Sequence, residues 1–149
     1  LKAAQVSAMT RSEISDLIVR VLEAWVRHDV TALANFHAED GIVDSPFAGG
    51  ETRGRDAIAN VYEAFFRAFP DLTMQTDAPL IDGDRVVLIT RMSGTDRGGF
   101  MGMQPTGRYV ELPMVLLFDL ENGLIARERR IYDFTGLALQ VGAIKAKPV

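Results

Sequence analysis

The chain is 149 residues long and 48% apolar, and sixteen Lys and Arg against twenty Asp and Glu leave a formal charge of −4. A mildly acidic surface argues against a nucleic-acid or anionic-membrane partner, since either would want a basic stripe. Without cysteine there is no disulfide framework, thiolate nucleophile or cysteine zinc site, and the only histidines, His28 and His37, cannot make a three-ligand metal set.

Residues 1–8, "LKAAQVSA", precede Met9 and lack an apolar signal core, so they are expected to be an upstream remnant or a disordered leader. Residues 9–149 are expected to form one domain of a cytoplasmic protein. "TRSE" at 10–13 is a capping box, and Ile14, Leu17, Ile18, Val21, Leu22 and Trp25 follow at helical spacing, predicting a helix to about Arg27. Asp29 caps a short second helix carrying Leu33 and Phe36. His28 and His37 fall at helix ends, where ordinary surface or interface roles are expected. "GIVDSPF" at 41–47 is a short strand running into a Pro/Gly turn. Ile58, Val61, Tyr62, Phe65 and Phe69 define a third helix, which Pro70 stops. From there strands are predicted at 72–76, 85–95, 109–120 and 124–133, with turns at "DGD" (82–84) and "ENG" (121–123).

Helices first and a long antiparallel sheet afterwards is an α+β pattern. In "LPMVLLF", 112–118, both faces of the strand are apolar, whereas a strand with one solvated face should alternate. Helices cover one side, and a homodimer packed through the outer sheet face is the economical cover for the other. Membrane binding could also use an apolar face, but no basic rim accompanies it.

"DRGGFMGMQPTGRYVELP" at 96–113 and "ENGLIARERRIYDFTGLALQVG" at 121–142 resemble the C-terminal half of the SnoaL-like polyketide cyclases. "FHAEDGIVDSPFAGGETRGRDAI" at 36–58 is similar to the same family and, more distantly, to limonene epoxide hydrolases and ketosteroid isomerases. The resemblance implies the fold of the nuclear-transport-factor-two superfamily: a cone-shaped curved sheet wrapped around N-terminal helices, enclosing an apolar cavity and usually dimeric. It also places known catalytic positions on this chain. The cyclases' acid/base aspartate falls at Arg130 and their pocket histidine at Leu116. The epoxide hydrolases' arginine falls at Arg91, with their aspartates at Ser93 and Arg130. The isomerases' base falls at Ser45, next to Asp44. Every carboxylate position therefore carries another residue.

If position 130 points inward, strand alternation puts Ala126, Glu128, Arg130 and Tyr132 on the cavity face, with Arg127 and Arg129 outside. A guanidinium in an apolar cone needs an acid, and Glu128 and Asp44 are the candidate partners. The resemblance adds an inward Arg91. Such arginines could bind an anionic or polarised ligand oxygen, or could form a structural ion network closing the narrow end. Asp44 reads either as a turn initiator or as a base, and Tyr132 either as a core tyrosine or as a proton donor. Trp25, Phe36, Tyr62, Phe65, Phe66, Met114 and Leu116 are expected to line the cavity. The loop "DRGGFMGMQPTG", 96–107, with Phe100, Met101 and Met103 beneath it, is expected to be either a lid or a plain hairpin connection.

Two functions are consistent with these residues. One is a metal-free, cofactor-free enzyme of cyclase, isomerase or epoxide-hydrolase type, using Asp44, Arg91, Glu128, Arg130 and Tyr132 on a mostly apolar substrate. The other is a binding protein that kept the cavity and lost the carboxylates.

Overall fold

The computed structural model describes residues 8–148, so most of the expected leader, residues 1–7, lies outside the described residues. Thr10 and Glu13 exchange hydrogen bonds in a full capping box and start helix α1, Arg11–Val26. Its buried stripe of Ile14, Leu17, Ile18, Val21 and Trp25 is the predicted one. Asp29 accepts from the Ala32 N–H and caps α2, Val30–Asn35. Helix α3, Arg55–Ala68, buries Ile58, Val61, Tyr62, Phe65 and Phe66, and ends two residues before Pro70.

These helices pack on a seven-stranded sheet ordered β2-β1-β7-β6-β5-β3, with β4 pairing β5. Strand β1 is His37–Ser45, β2 Gly50–Arg53, β3 Thr73–Thr76 and β4 Leu80–Asp82. The long strands are β5, Arg85–Thr95, β6, Tyr109–Glu121, and β7, Leu124–Tyr132. The sheet is curved and unclosed, with β2 at one edge. It is not wholly antiparallel, because β1 runs parallel to β7 while its other pairs are antiparallel. A helix α4, Phe134–Val141, capped by Asp133, follows β7 beyond the last element predicted from the sequence. None of the described helices is long and apolar enough to cross a membrane.

Two local devices fix the frame. Strand β1 carries an irregularity between His37 and Ile42, where five residues span the distance of two on β7. Gly41 sits inside it, and a Cβ there would come within 2.9 Å of the Ala38 carbonyl oxygen. In β6, Glu111 gives its N–H to Gln140 Oε1 and takes Gln140 Nε2 on its C=O, so α4 continues the pairing where β7 has ended. Pro113, two residues on, faces the same way, and there its missing N–H costs no ladder bond.

Candidate functional site

Strand register sorts the inner face into rows. Val86, Phe118 and Glu128 form one row with Val43 beside them; Leu88, Leu116 and Arg130 form the next; Thr90, Met114 and Tyr132 form a third. Apart from Thr90 the rows are apolar except at their β7 end, and there lies the polar cluster. Glu128 is 0% exposed and Arg130 3%, so the pair is taken almost wholly out of water.

The cluster is tightly connected. Arg130 Nε donates to Glu128 Oε1 at 2.7 Å, while the Tyr62 hydroxyl donates to Oε2 at 2.5 Å. His37 Nε2 lies 3.0 Å from the same Oε2, and its Nδ1 lies 2.8 Å from the Leu33 carbonyl oxygen. The guanidinium carbon stands 4.6 Å from the Tyr62 ring centroid, 5.1 Å from Trp25 and 5.8 Å from Phe65. Three aromatic rings thus supply part of the solvation that water would give a cation.

Electrostatics follow from this geometry. Burial pushes the Glu128 carboxyl up, but the charge of Arg130 and the contacts with His37 and Tyr62 outweigh it and hold it down at about 2. Glu128 is therefore an ionised anchor and too weak a base to abstract protons. Burial alone would lower the pKa of Arg130; the Glu128 charge reverses that and raises it. Tyr62 is pushed well above the ordinary phenol range by burial and then by Glu128, so it remains a donor. Burial also raises Tyr132, which keeps its proton at neutral pH and accepts the Phe47 N–H at 3.1 Å.

Several buried polar atoms have no aligned hydrogen-bond partner in the protein: Arg130 Nη1 and Nη2, Trp25 Nε1, Ser45 Oγ and Thr90 Oγ1. Arg130 lies over the Tyr62 ring and Ser45 lies near the Tyr132 hydroxyl, but neither approach gives a well-directed bond. Above the cluster, Phe47 packs on Phe65 and Phe100, and Phe100 on Phe69 and Phe134. These rings stand between the cluster and the exposed loop tip at Met101 and Met103.

The structure brings together Glu128, Arg130, Tyr132, Trp25, Ser45, Tyr62, Phe66, Met114 and Leu116 on or against the inner face. It does not bring Arg91, Ser93 or Asp44 there. Arg91 alternates with the buried Thr90 and Met92, lies on the outer face and stands 3.7 Å from Glu111, so the inward Arg91 expected from resemblance is corrected. Ser93 shares that outer face and bonds Thr73. Asp44 lies between the buried Val43 and Ser45 and faces outward across from Arg129, so Arg130 pairs with Glu128 and not with Asp44. Phe36 is half-buried under Arg20, at the edge of the core. His37 is the residue that sequence reasoning missed: it is 0% exposed, not a surface side chain. Only Gly41, five residues into the strand, hinted at the bulge beside it. Among the described residues, no three His, Cys, Asp or Glu are grouped to hold a metal.

Helices packed on one face of a curved, unclosed sheet make an α+β protein that shares its fold with a ketosteroid-isomerase-like-fold protein of Catenulispora acidiphila. The family model for SnoaL-like polyketide cyclase matches residues 15–141, and the chain belongs to that family. Among solved structures it is similar to AclR of Streptomyces galilaeus, for which a hydroxylase role is suggested, at 25% identity and TM-score 0.78, over 93% of this chain and 87% of that one. It is also similar to IdmH of Streptomyces antibioticus, suggested to be a polyketide cyclase, at 28% identity and TM-score 0.70, over 86% and 97%. A SnoaL-like protein of Jannaschia sp. CCS1, at 19% identity, TM-score 0.80 and coverage of 93% and 99%, shares the fold. No curated protein matches the chain.

Proposed function

We propose that this protein binds a small, mostly apolar organic molecule against the inner sheet face and acts on it without a cofactor. The chemistry is of the cyclase kind: negative charge is held on a substrate oxygen while a carbon acid enolises. The carrying observation is that Arg130, permanently charged, and Tyr132, kept protonated by burial, are successive inward residues of β7. Arg130 stabilises the developing oxyanion, and Tyr132 donates a hydrogen bond to it. Glu128, His37 and Tyr62 position Arg130. Asp44 and Arg91, on the outer face, have no part in this step.

The α-carbon's proton leaves to water, so the step can be followed as deuterium uptake from D2O into an aromatic β-keto ester, read by NMR. Wild-type protein should accelerate uptake, and Tyr132→Phe should slow it by about a hundredfold, the lower range for acid/base assistance. A second reading has its own support: the inward carboxylate Glu128 is engaged by three partners, which suits a protein that binds without turnover. Tight binding of the ester with no uptake above background would favour that reading and end the catalytic one.

A further inference from the structure

We infer that the ligand of the inner face carries an anionic oxygen group, a carboxylate or an ionised enol, and that this group docks between the terminal nitrogens of Arg130 and the indole N–H of Trp25. The inference rests on the small-molecule reading above and adds the charge of the molecule. Its first support is the count of donors and acceptors. Both oxygens of Glu128 are taken, Oε1 by Arg130 Nε and Oε2 by Tyr62 and His37. Three buried N–H-bearing atoms then remain without an aligned protein acceptor: Arg130 Nη1, Arg130 Nη2 and Trp25 Nε1. A buried donor left unmet is costly, and folds rarely leave several of them together.

The unmet groups are neighbours. The Trp25 ring lies 5.1 Å from the guanidinium carbon, and Ser45 adjoins Arg130 one step along the ladder that pairs Asp44 with Arg129. Thr90 lies in the adjacent row with Tyr132. Such a surround offers three N–H-bearing atoms and two hydroxyls that can donate, and a carboxylate or enolate offers lone pairs alone.

Charge points the same way. His37 turns each ring nitrogen towards a protein oxygen, so neither is left for a ligand, and Arg130 is the permanent charge that is. Arg130 already gives Nε to Glu128, which leaves its Nη edge for a planar oxyanion.

Benzoate and benzamide have the same shape and differ in charge, so they separate this inference from its foundation. Trp25 is the chain's only tryptophan, and 15N-indole labelling therefore gives a single side-chain resonance at the site. At pH 7 benzoate should bind at least about tenfold more tightly than benzamide, the difference between a charge-assisted and a neutral hydrogen bond. It should also shift the indole N–H resonance. Arg130→Gln should abolish the preference in calorimetry; should that variant fail to fold, Trp25→Phe, which keeps an aromatic ring and loses the N–H, should reduce the preference. Equal affinity for the two probes, as expected if a water molecule meets these donors, overturns the anionic ligand and leaves small-molecule binding standing. Failure of both probes to bind removes both readings.

Discussion

Removing Arg130 would leave Glu128 as a fully buried carboxylate with its strongest partner gone. Loss of one member of a buried pair typically costs about 3–5 kcal/mol, because the survivor stays uncompensated. Arg130→Met should therefore lower unfolding free energy by that amount in urea titrations. Arg129→Met, one residue away, removes a guanidinium that is 44% exposed and 3.6 Å from Asp119, and should cost about 0–1 kcal/mol. Equal effects of the two would mean that the cluster does not hold the fold. The same pair sets an acid limb. Glu128 is held at about 2 when folded against an ordinary 4.5, so its stabilisation is present above about pH 4.5 and drains away as pH falls towards 2. Tyr62 works in the opposite sense, its raised pKa favouring the folded state until the unfolded phenol ionises near 10. Glu128→Gln should flatten the acid limb between pH 4.5 and 2 and, because Glu128 also raises Tyr62, lessen the alkaline one, as followed by circular dichroism. Alternation, anchored at position 130 by the family resemblance, made Glu128, Arg130 and Tyr132 legible in the sequence, because a period of two needs only one anchored position. His37 was not legible, since a bulge in β1 decides where its side chain points, and Arg91 was misplaced because remote resemblance overrode the alternation with Thr90 and Met92.

At the scale of elements, the loop between β5 and β6 is pinned at its stem and free at its tip. Asp96, 1% exposed, takes hydrogen bonds from the Gly99 N–H and from the N–H and hydroxyl of Thr106. Arg97 and Gly98 give their N–H groups to the Ala68 carbonyl at the end of α3, and so tie the loop to the helix that carries Tyr62 and Phe65. A Cβ on Gly98 would overlap the Arg67 carbonyl oxygen, which is backbone and cannot swing aside. Gly98→Ala should thus lift the stem from α3 and withdraw Phe100 from between Phe47, Phe69 and Phe134. The expected result is a loss of stability of about 1–3 kcal/mol, the range for overpacking a well-packed site, with faster amide exchange confined to this loop in hydrogen-exchange mass spectrometry. An unchanged exchange pattern would show that the stem contact does not hold the aromatic cover. The long strands β5, β6 and β7 were legible because turn signals bound them, β5 is rich in β-branched residues and β6 carries a long apolar run. Strands β2 and β4 were not, being four and three residues long and paired on one side only. Helix α4 was hidden because "FTGLALQV" is short and carries a glycine, and its Asp133 cap and Gln140 bonds to β6 come from tertiary contact.

The whole molecule has two sheet faces, and the helices cover only one. On the other, Ile89, Val115 and Ile131 align across β5, β6 and β7, with Val87 and Leu117 in the next row. Ile89 is 47% exposed and Ile131 57%, an arrangement that an isolated protein would leave wet along three central strands. Ion pairs rim the patch, Arg91 with Glu111, Arg85 and Arg129 with Asp119, and Arg127 with Glu51. An apolar centre with a charged rim suits a two-fold interface, where the same patch meets itself and about 800 Å² per partner suffices for a specific complex. We therefore expect a homodimer through the outer face, with the ligand sites on the two opposite inner faces. Ile131→Glu puts a charge at the centre of the patch without touching the core, so the change in monomer stability should stay within about 0.5 kcal/mol, as for other surface positions. Two carboxylates brought together across the two-fold axis would, however, have to be buried or kept apart. Sedimentation velocity at micromolar concentration should find wild-type protein as a dimer and Ile131→Glu as a folded monomer. A wild-type monomer at tens of micromolar would leave the outer isoleucines without a partner, and a dimer that survives Ile131→Glu would place the interface elsewhere on the surface.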